Sequence, residues 1–117
     1  MKISEIMELL CAEILCGKEF IDNDVAYGFG SDLMSDVLAY VKGSTVLLTG
    51  LINNQVIRTA EMADLNAIVF VRGKKPDQDL INLAIENNIV LMLTKDTLYT
   101  ASGKLYCSGL RGVQIDC

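Results

Sequence analysis

The chain has no histidine. Without an imidazole it cannot assemble a Ser-His or Cys-His pair, a zincin helix or a histidine phosphocarrier. Cations are also scarce: ten Lys and Arg stand against fifteen Asp and Glu, a net charge of −5. Binding a polyanion is driven largely by Lys and Arg displacing counterions, so no nucleic-acid partner is expected. Lys74-Lys75 is the only adjacent basic pair. No apolar run approaches the ~20 residues of a membrane helix, so none is expected to span one. Close cysteine pairs are missing too. Cys11 and Cys16 have C-x4-C spacing, Cys107 stands alone and Cys117 is last. No C-x2-C pair offers a zinc clamp, and no metal site is expected. The opening MKISEIMELLCAEILC is broken by Glu5, Glu8 and Glu13 and lacks a small-residue cleavage site. It reads as an amphipathic helix and not as a signal peptide, and a disulfide framework is not expected without an export signal. The expected setting is soluble and cytoplasmic, with Cys11 and Cys16 filling small apolar positions and Cys117 on a loose tail.

What the sequence does contain is a repeated alternation in its second half. Three short apolar runs, Thr45–Thr49, Ala67–Val71 and Ile89–Leu93, recur at a 22-residue step. Each is apolar on both alternating faces, as a buried parallel strand should be. Between the first two, Val56, Ile57, Ala60 and Ala63 share a helix face. Between the next two, Leu80, Ile81, Ala84 and Ile85 do the same. Pro76-Asp77 suits the start of the second helix and Asn87-Asn88 its end. Strand and helix thus alternate as a βαβαβ unit, with right-handed crossovers. A 22-residue step also falls in the leucine-rich-repeat range, but the L-x-x-L-x-L signature is missing and only three units are present.

In the first half, Ser4 is read as the cap of a short helix turning Ile3, Ile6, Met7 and Leu10 inward. A strand follows at Glu13–Cys16, then a polar turn at Gly17–Asn23 and a strand at Val25–Phe29. Ser31 is read as the cap of a helix with Leu33, Met34, Val37, Leu38 and Val41 inward and Lys42-Gly43 as its stop. After the third parallel strand, Thr97–Tyr106 reads as a helix through Leu98, Ala101 and Leu105. Gly103 costs that helix about 1 kcal/mol relative to alanine. No linker or low-complexity segment divides the chain. The expected fold is one three-layer α/β/α domain over 1–117, with a mainly parallel sheet built on the βαβαβ core. Residues 1–43 carry the first helix, short strands and capped helix, 44–106 the core plus a helix, and 107–117 a tail.

The nucleotide-loop motifs fail. A Walker A loop needs a hydroxyl residue after Gly73-Lys74 and a glycine at Ile68; Lys75 follows instead. A dinucleotide fingerprint begins at Gly28 and Gly30, but Leu33 holds the third glycine place. Asp32 and Asp36, four apart, could hold magnesium through water or simply complement a helix dipole. What survives is position. In an open parallel sheet, ligands sit beyond the carboxyl ends of the strands. Those ends offer Thr49, Gly50 and Asn53; Arg72, Gly73 and Lys74; Thr94, Asp96 and Thr97 as ligand-binding candidates. Arg72, Lys74, Lys75 and Lys95 crowd the same edge, which suits an anion, and the helix starts beyond it present free amides. The same residues also fit a reading without a ligand, in which glycine relieves a bend and threonine and aspartate cap helices.

With TGLINNQVIRTAEM, AIVFVRGKKP and LAIENNIVLMLTKDTLYTASGKL in view, the chain resembles the DRTGG domain. The likeness is specific from Leu47 to about Leu105, and Gly30–Leu38 resembles the small stand-alone members. Such domains lie between cystathionine-β-synthase-type domains in regulated pyrophosphatases and occur in some phosphotransacetylases. Their fold is similar to the N-terminal part of HPr kinase, and some stand-alone members are encoded near iron-only hydrogenase or serine/threonine-kinase genes. The resemblance implies an α/β fold, a regulatory or assembly role and frequent dimerisation, with no established catalysis. The chain departs from the pattern that names the family. Leu51-Ile52 stands in place of Asp-Arg and Val71-Arg72-Gly73 in place of Thr-Gly-Gly. Only Gly50 and Gly73 match residue for residue. Arg72 is the candidate to restore a cation from the neighbouring loop.

The leading expectation is a non-catalytic regulatory module sensing an adenine nucleotide or another anionic metabolite at the strand ends, with no other cofactor. The alternative is a dimeric assembly or accessory protein for a metabolic or redox enzyme encoded nearby. In that reading Leu51, Ile52 and Tyr40, with the helix Asp32–Val41, form the contact surface. An enzyme is the weakest fit, because no nucleophile–base pair or metal cluster is present.

Overall fold

The computed structural model describes residues 1–115. Five helices and six strands follow one another as α1 (Ile3–Leu9), β1 (Glu13–Cys16), β2 (Tyr27–Gly30), α2 (Met34–Tyr40), β3 (Thr45–Thr49), α3 (Asn54–Met62), β4 (Ala67–Phe70), α4 (Gln78–Glu86), β5 (Val90–Leu93), α5 (Leu98–Cys107) and β6 (Arg111–Gly112). One sheet carries all six strands in the order β1-β5-β4-β3-β2-β6. Every neighbouring pair is parallel except β1 with β5. The expected architecture, a mainly parallel sheet on a βαβαβ core between helical layers, is the one observed.

Period-two alternation along the strands divides the core. Leu47, Ile68, Phe70 and Leu91 face α2, α3 and α4. Val46, Leu48, Val69, Val90 and Met92 face α1 and α5. Both faces are fully covered, which is why the runs read as unbroken apolar segments. From β2 to β5 the chain steps one strand at a time in one direction, and α2, α3 and α4 stay on one face. After β5 it doubles back across three strands to β6, and α5 lies on the opposite face. Reversing direction while keeping a right-handed crossover requires that change of face.

The helix starts of the second half are capped by side chains, at Asp77 as the sequence suggests and also at Asn53 and Thr97. Asn53 accepts a hydrogen bond from the Gln55 amide (3.0 Å), Asp77 from Leu80 (2.9 Å) and Thr97 from Thr100 (3.4 Å). Asn88 closes α4 with a left-handed φ of 56°.

The first half requires corrections. Ser4 lies inside α1 and does not cap it. The Ile3 and Ser4 amides donate to the carbonyls of Asn23 and Ile21 (3.0 and 2.8 Å), so distant backbone replaces the local cap. Ser31 precedes α2 by three residues and accepts from the Leu33 amide, bending the chain before the helix. α2 buries Met34 and Val37, with Val41 just beyond, but Leu33 and Leu38 are 57% and 46% exposed. This short helix packs against α3 and the sheet through Met34, Val37 and Val41, so only a narrow stripe is covered. β2 begins at Tyr27, two residues later than expected, because the Val25 amide is tied to Met1. The expected C-terminal tail is partly built into the sheet: Leu110 is buried and Arg111-Gly112 pair in parallel with Tyr27-Gly28. Cys117 lies outside the described residues. Cys11 is exposed, while Cys16 is half-buried against β5, and the expected filling of an apolar position holds for Cys16 only. Burial pushes the Cys16 thiol pKa up, and Glu19 adds to the shift against an opposing backbone hydrogen bond.

Candidate functional site

The parallel strands deliver their carboxyl ends to one rim, but the loops there do different things. At the β3 exit the Asp32 carboxylate, from the β2–α2 loop, closes the opening. Its Oδ1 accepts from the Thr49 hydroxyl (3.0 Å) and the Gly50 amide (2.7 Å). The Thr49 oxygen in turn accepts from the Leu51 amide (3.1 Å). Asp32 therefore pins a loop over β3, and Asp36 lies in the first turn of α2, where a carboxylate meets the positive dipole end. Among the described residues, no group of three or more Cys, Asp or Glu is placed to hold a metal ion.

At the β4 exit Arg72 and Gly73 are both left-handed, with φ of 64° and 68°. The conformation is strained for arginine and free for glycine. It is held by two bonds to the next loop: the Arg72 amide donates to Asp96 O (2.8 Å) and the Gly73 amide to Thr94 O (2.9 Å). The bent backbone throws the Arg72 guanidinium over Gly50, where a β-carbon would stand 2.8 Å from Nη2. Arg72 forms no ion pair among the described residues.

The helix after β4 leaves on one face of the sheet and the helix after β5 on the other. The gap between those strands is thus a topological switch point, the place where α/β folds form crevices. Next to it, at the β5 exit and toward edge strand β1, a cleft of about 410 Å³ is lined by Gly73, Thr94, Lys95, Asp96 and Lys104. Its far wall is Leu10, Cys11 and Glu13, from the turn into the antiparallel edge strand β1. Buried Thr94 ties wall to floor by donating to Leu10 O (2.9 Å) and accepting from the Asp96 amide (3.3 Å). Asp96 pairs with Lys104 of α5 at 2.8 Å. That hydrogen bond is the main reason the Lys104 pKa rises above its ordinary value.

The rim candidates therefore separate. Gly73, Thr94 and Asp96 line the cleft. Thr49 and Gly50 belong to the plug at β3, and Arg72 bridges from one group to the other. Asn53 and Thr97 cap α3 and α5 with their side chains. Lys74 is exposed and does not line the cleft, and neither does Lys75. The cleft balances Lys95 and Lys104 with Glu13 and Asp96, so the expected crowd of cations is met by carboxylates, of which the strand-end reading includes Asp96 and misses Glu13. Lys104 reaches the site from the second turn of α5 and Glu13 from the far edge strand; neither leaves a local signal in the sequence. Tyr40 lines a different cleft with Thr45, at the start of β3, whereas Leu51 and Ile52 follow its end. These three candidate contact residues do not form one surface.

The match to a family profile covers residues 5–106 and is to the DRTGG domain. The chain belongs to the DRTGG domain family. Among solved structures, this DRTGG domain is similar to the crystal structure of the CBS and DRTGG domains of the regulatory region of Clostridium perfringens pyrophosphatase, complexed with the activator diadenosine tetraphosphate. The TM-score is 0.71 at 17% identity, over 89% of this chain and 45% of that one. The chain thus spans less than half the length of that neighbour, and the likeness establishes the fold. No curated protein matches the chain by sequence. Among the described residues, no helix is long and apolar enough to cross a membrane.

Proposed function

We propose that this DRTGG domain is a non-catalytic regulatory module that senses an anionic metabolite at the rim, with adenine nucleotides the first class to test. The observation that carries the reading is the cleft of about 410 Å³ at the β5 exit, beside the β4–β5 switch point. Its volume falls in the range of small-molecule sites. Arg72, unpaired among the described residues, stands beside it on a backbone held against its own preference. Strain of this kind collects at ligand clamps. The binding mode has Lys104 exchange Asp96 for a ligand anion while Arg72 approaches from the β3 side. The pyrophosphatase neighbour, a regulatory region complexed with an adenine-containing polyphosphate, supports the choice of ligand class. Cys11, the thiol lining the cleft, forms no hydrogen bond to a base among the described residues, which supports regulation over catalysis.

The test is a thermal-shift and calorimetric screen with AMP, ADP, ATP and diadenosine polyphosphates. Ligand at a hundred times its dissociation constant should stabilise the fold by about 2.7 kcal/mol. Arg72→Asn removes the cation while asparagine tolerates the left-handed backbone. The variant should fold and lose most of the shift. No shift with any anionic metabolite in the wild type, or an equal shift in Arg72→Asn, refutes the reading.

A second reading, an assembly partner for another enzyme, is favoured by Leu33, Leu38 and Met62, the last 67% exposed, on α2 and α3. Leu38 and Met62 border one shallow cleft on the outer helical layer. Co-purification of a partner from the native cell, lost in Leu38→Lys, would support it.

A further inference from the structure

Gly28 and Gly30 stand in β2, and glycine in a strand weakens it because it has no side chain to pack. Neither has a positive φ, so the backbone does not demand them. Alternation puts both on the sheet face that lies under α5. β-Carbons there would stand 3.1 Å from Leu110 and 3.2 Å from Leu98, so the close approach of these residues excludes larger side chains. What the missing side chains leave is a slot of about 110 Å³ between β2 and α5, with Leu48, Leu105 and Leu110 as its apolar wall. Its polar lining is one-sided. In a chain of net charge −5 the charged residue at the slot is Arg111, and no carboxylate lines it. The cleft at the β5 exit, which shares no lining residue with the slot, has Glu13 and Asp96 against its lysines. Arg111 forms no ion pair among the described residues. Its guanidinium stacks on Tyr106, 4.9 Å from the ring centroid. Stacking occupies the face of the guanidinium and leaves its N–H edge for a planar anion. The Ser102 hydroxyl lines the slot as well. A backbone donor completes the set. The Tyr27 and Ser31 amides donate to Ser44 O and Leu48 O on the β3 side (3.1 and 3.0 Å), so alternation turns the Gly30 amide to the β6 side. There β6 pairs with Tyr27 and Gly28 and ends at Gly112, which leaves the Gly30 amide past its end, at the slot.

We propose that this slot binds a short-chain monocarboxylate. The carboxylate takes hydrogen bonds from Arg111, Ser102 and the Gly30 amide, and the alkyl chain lies along Leu48, Leu105 and Leu110. A convergent set of donors beside an apolar wall is the usual make-up of a small-molecule site. Size sets the length of the ligand: a cavity of roughly 150 Å³ holds benzene, so this one holds a chain of about four carbons. Charge sets its head group. A single arginine matches one negative charge, whereas a doubly charged phosphate would need a second cation and more donors than an apolar wall offers. The site lies apart from the cleft at the β5 exit and does not rest on the nucleotide reading.

Titration of the nitrogen-15-labelled chain with sodium butyrate, against sodium chloride at matched ionic strength, tests the assignment. Amide signals of Gly30, Ser102 and Arg111 should shift and saturate in the millimolar range, which a ligand of this size can reach. Butyramide keeps the shape without the charge and should bind at least about tenfold more weakly. Arg111→Gln should weaken butyrate by a similar factor with an unchanged circular dichroism spectrum, since Arg111 is exposed. Ser102→Ala improves helix propensity and should fold and weaken butyrate several-fold, so it decides the matter should Arg111→Gln unfold. No saturable shift with butyrate, shifts confined to Gly73 and Thr94, butyramide binding as well as butyrate, or unchanged affinity in the folded variants overturns the proposal.

Discussion

The β3 and β5 exits use nearly the same chemistry to opposite ends. Both present a buried threonine at the strand terminus, whose hydroxyl oxygen accepts a hydrogen bond from an amide two residues on. At β3 the threonine hydroxyl donates to Asp32, whose carboxylate also takes the Gly50 amide, and the exit is filled. At β5 the hydroxyl of Thr94 donates to a backbone carbonyl in the turn after α1, holding a wall at a distance from the loop and leaving a cleft. What separates a plug from a crevice is thus the partner that the threonine finds. At β3 it is a charged side chain that reaches into the opening, at β5 a piece of main chain that frames it.

Removing the plug should have the largest effect. Asp32→Ala deletes two hydrogen bonds to a carboxylate and should cost about 2–3 kcal/mol in urea unfolding. Thr94→Val keeps the shape but leaves the Leu10 carbonyl and the Asp96 amide without that hydroxyl, for about 1–2 kcal/mol. The two variants should part company in ligand binding. With the cleft as the site, Thr94→Val weakens the thermal shift and Asp32→Ala preserves it once both are measured against their own unliganded midpoints. The reverse outcome would move the site to β3.

The β5 exit was also the harder one to anticipate from the sequence. The runs at Thr45, Ala67 and Ile89 announce parallel strands, and Pro76-Asp77 announces the start of α4, because those signals are local and periodic; Asn53 and Thr97, put forward as ligand candidates, are caps in the structure. Ser4 misled because the amides of Ile3 and Ser4 find carbonyls some twenty residues away, and Ser31 because its hydroxyl takes the Leu33 amide in a bend before the helix. Leu38 misled because a seven-residue helix on the edge of its layer buries only the stripe of Met34 and Val37 and leaves part of its apolar side exposed. At the site, Gly73, Thr94 and Asp96 follow from the strand-end rule. The left-handed turn at Arg72 depends on bonds to Asp96 and Thr94, which exist only once β4 and β5 are paired. Glu13 arrives through an antiparallel edge strand and Lys104 through a helix, and no spacing in the sequence connects either with Thr94. Strand exits are legible one at a time; what meets across them is a tertiary property.

The smallest expected effect concerns the ion pair at the mouth of the cleft. Asp96 holds the Lys104 pKa above its ordinary value of 10.5, so the folded state binds that proton more tightly than the unfolded chain does. The resulting stabilisation is fully present below pH 10.5 and is lost as pH rises through the higher folded value. The β3 exit has no lysine in its plug and should show no counterpart. Comparing the wild type with Lys104→Gln should therefore give a small stability difference that is flat from neutral pH to about 10 and vanishes above it. Added salt should shrink the difference at neutral pH, because both partners are partly open to solvent. A difference that persists undiminished in strong base would mean that Lys104 acts through packing of its stem on the cleft wall and not through its charge. In that case a ligand anion would have no cation to take over at this position, and Arg72 alone would have to receive it.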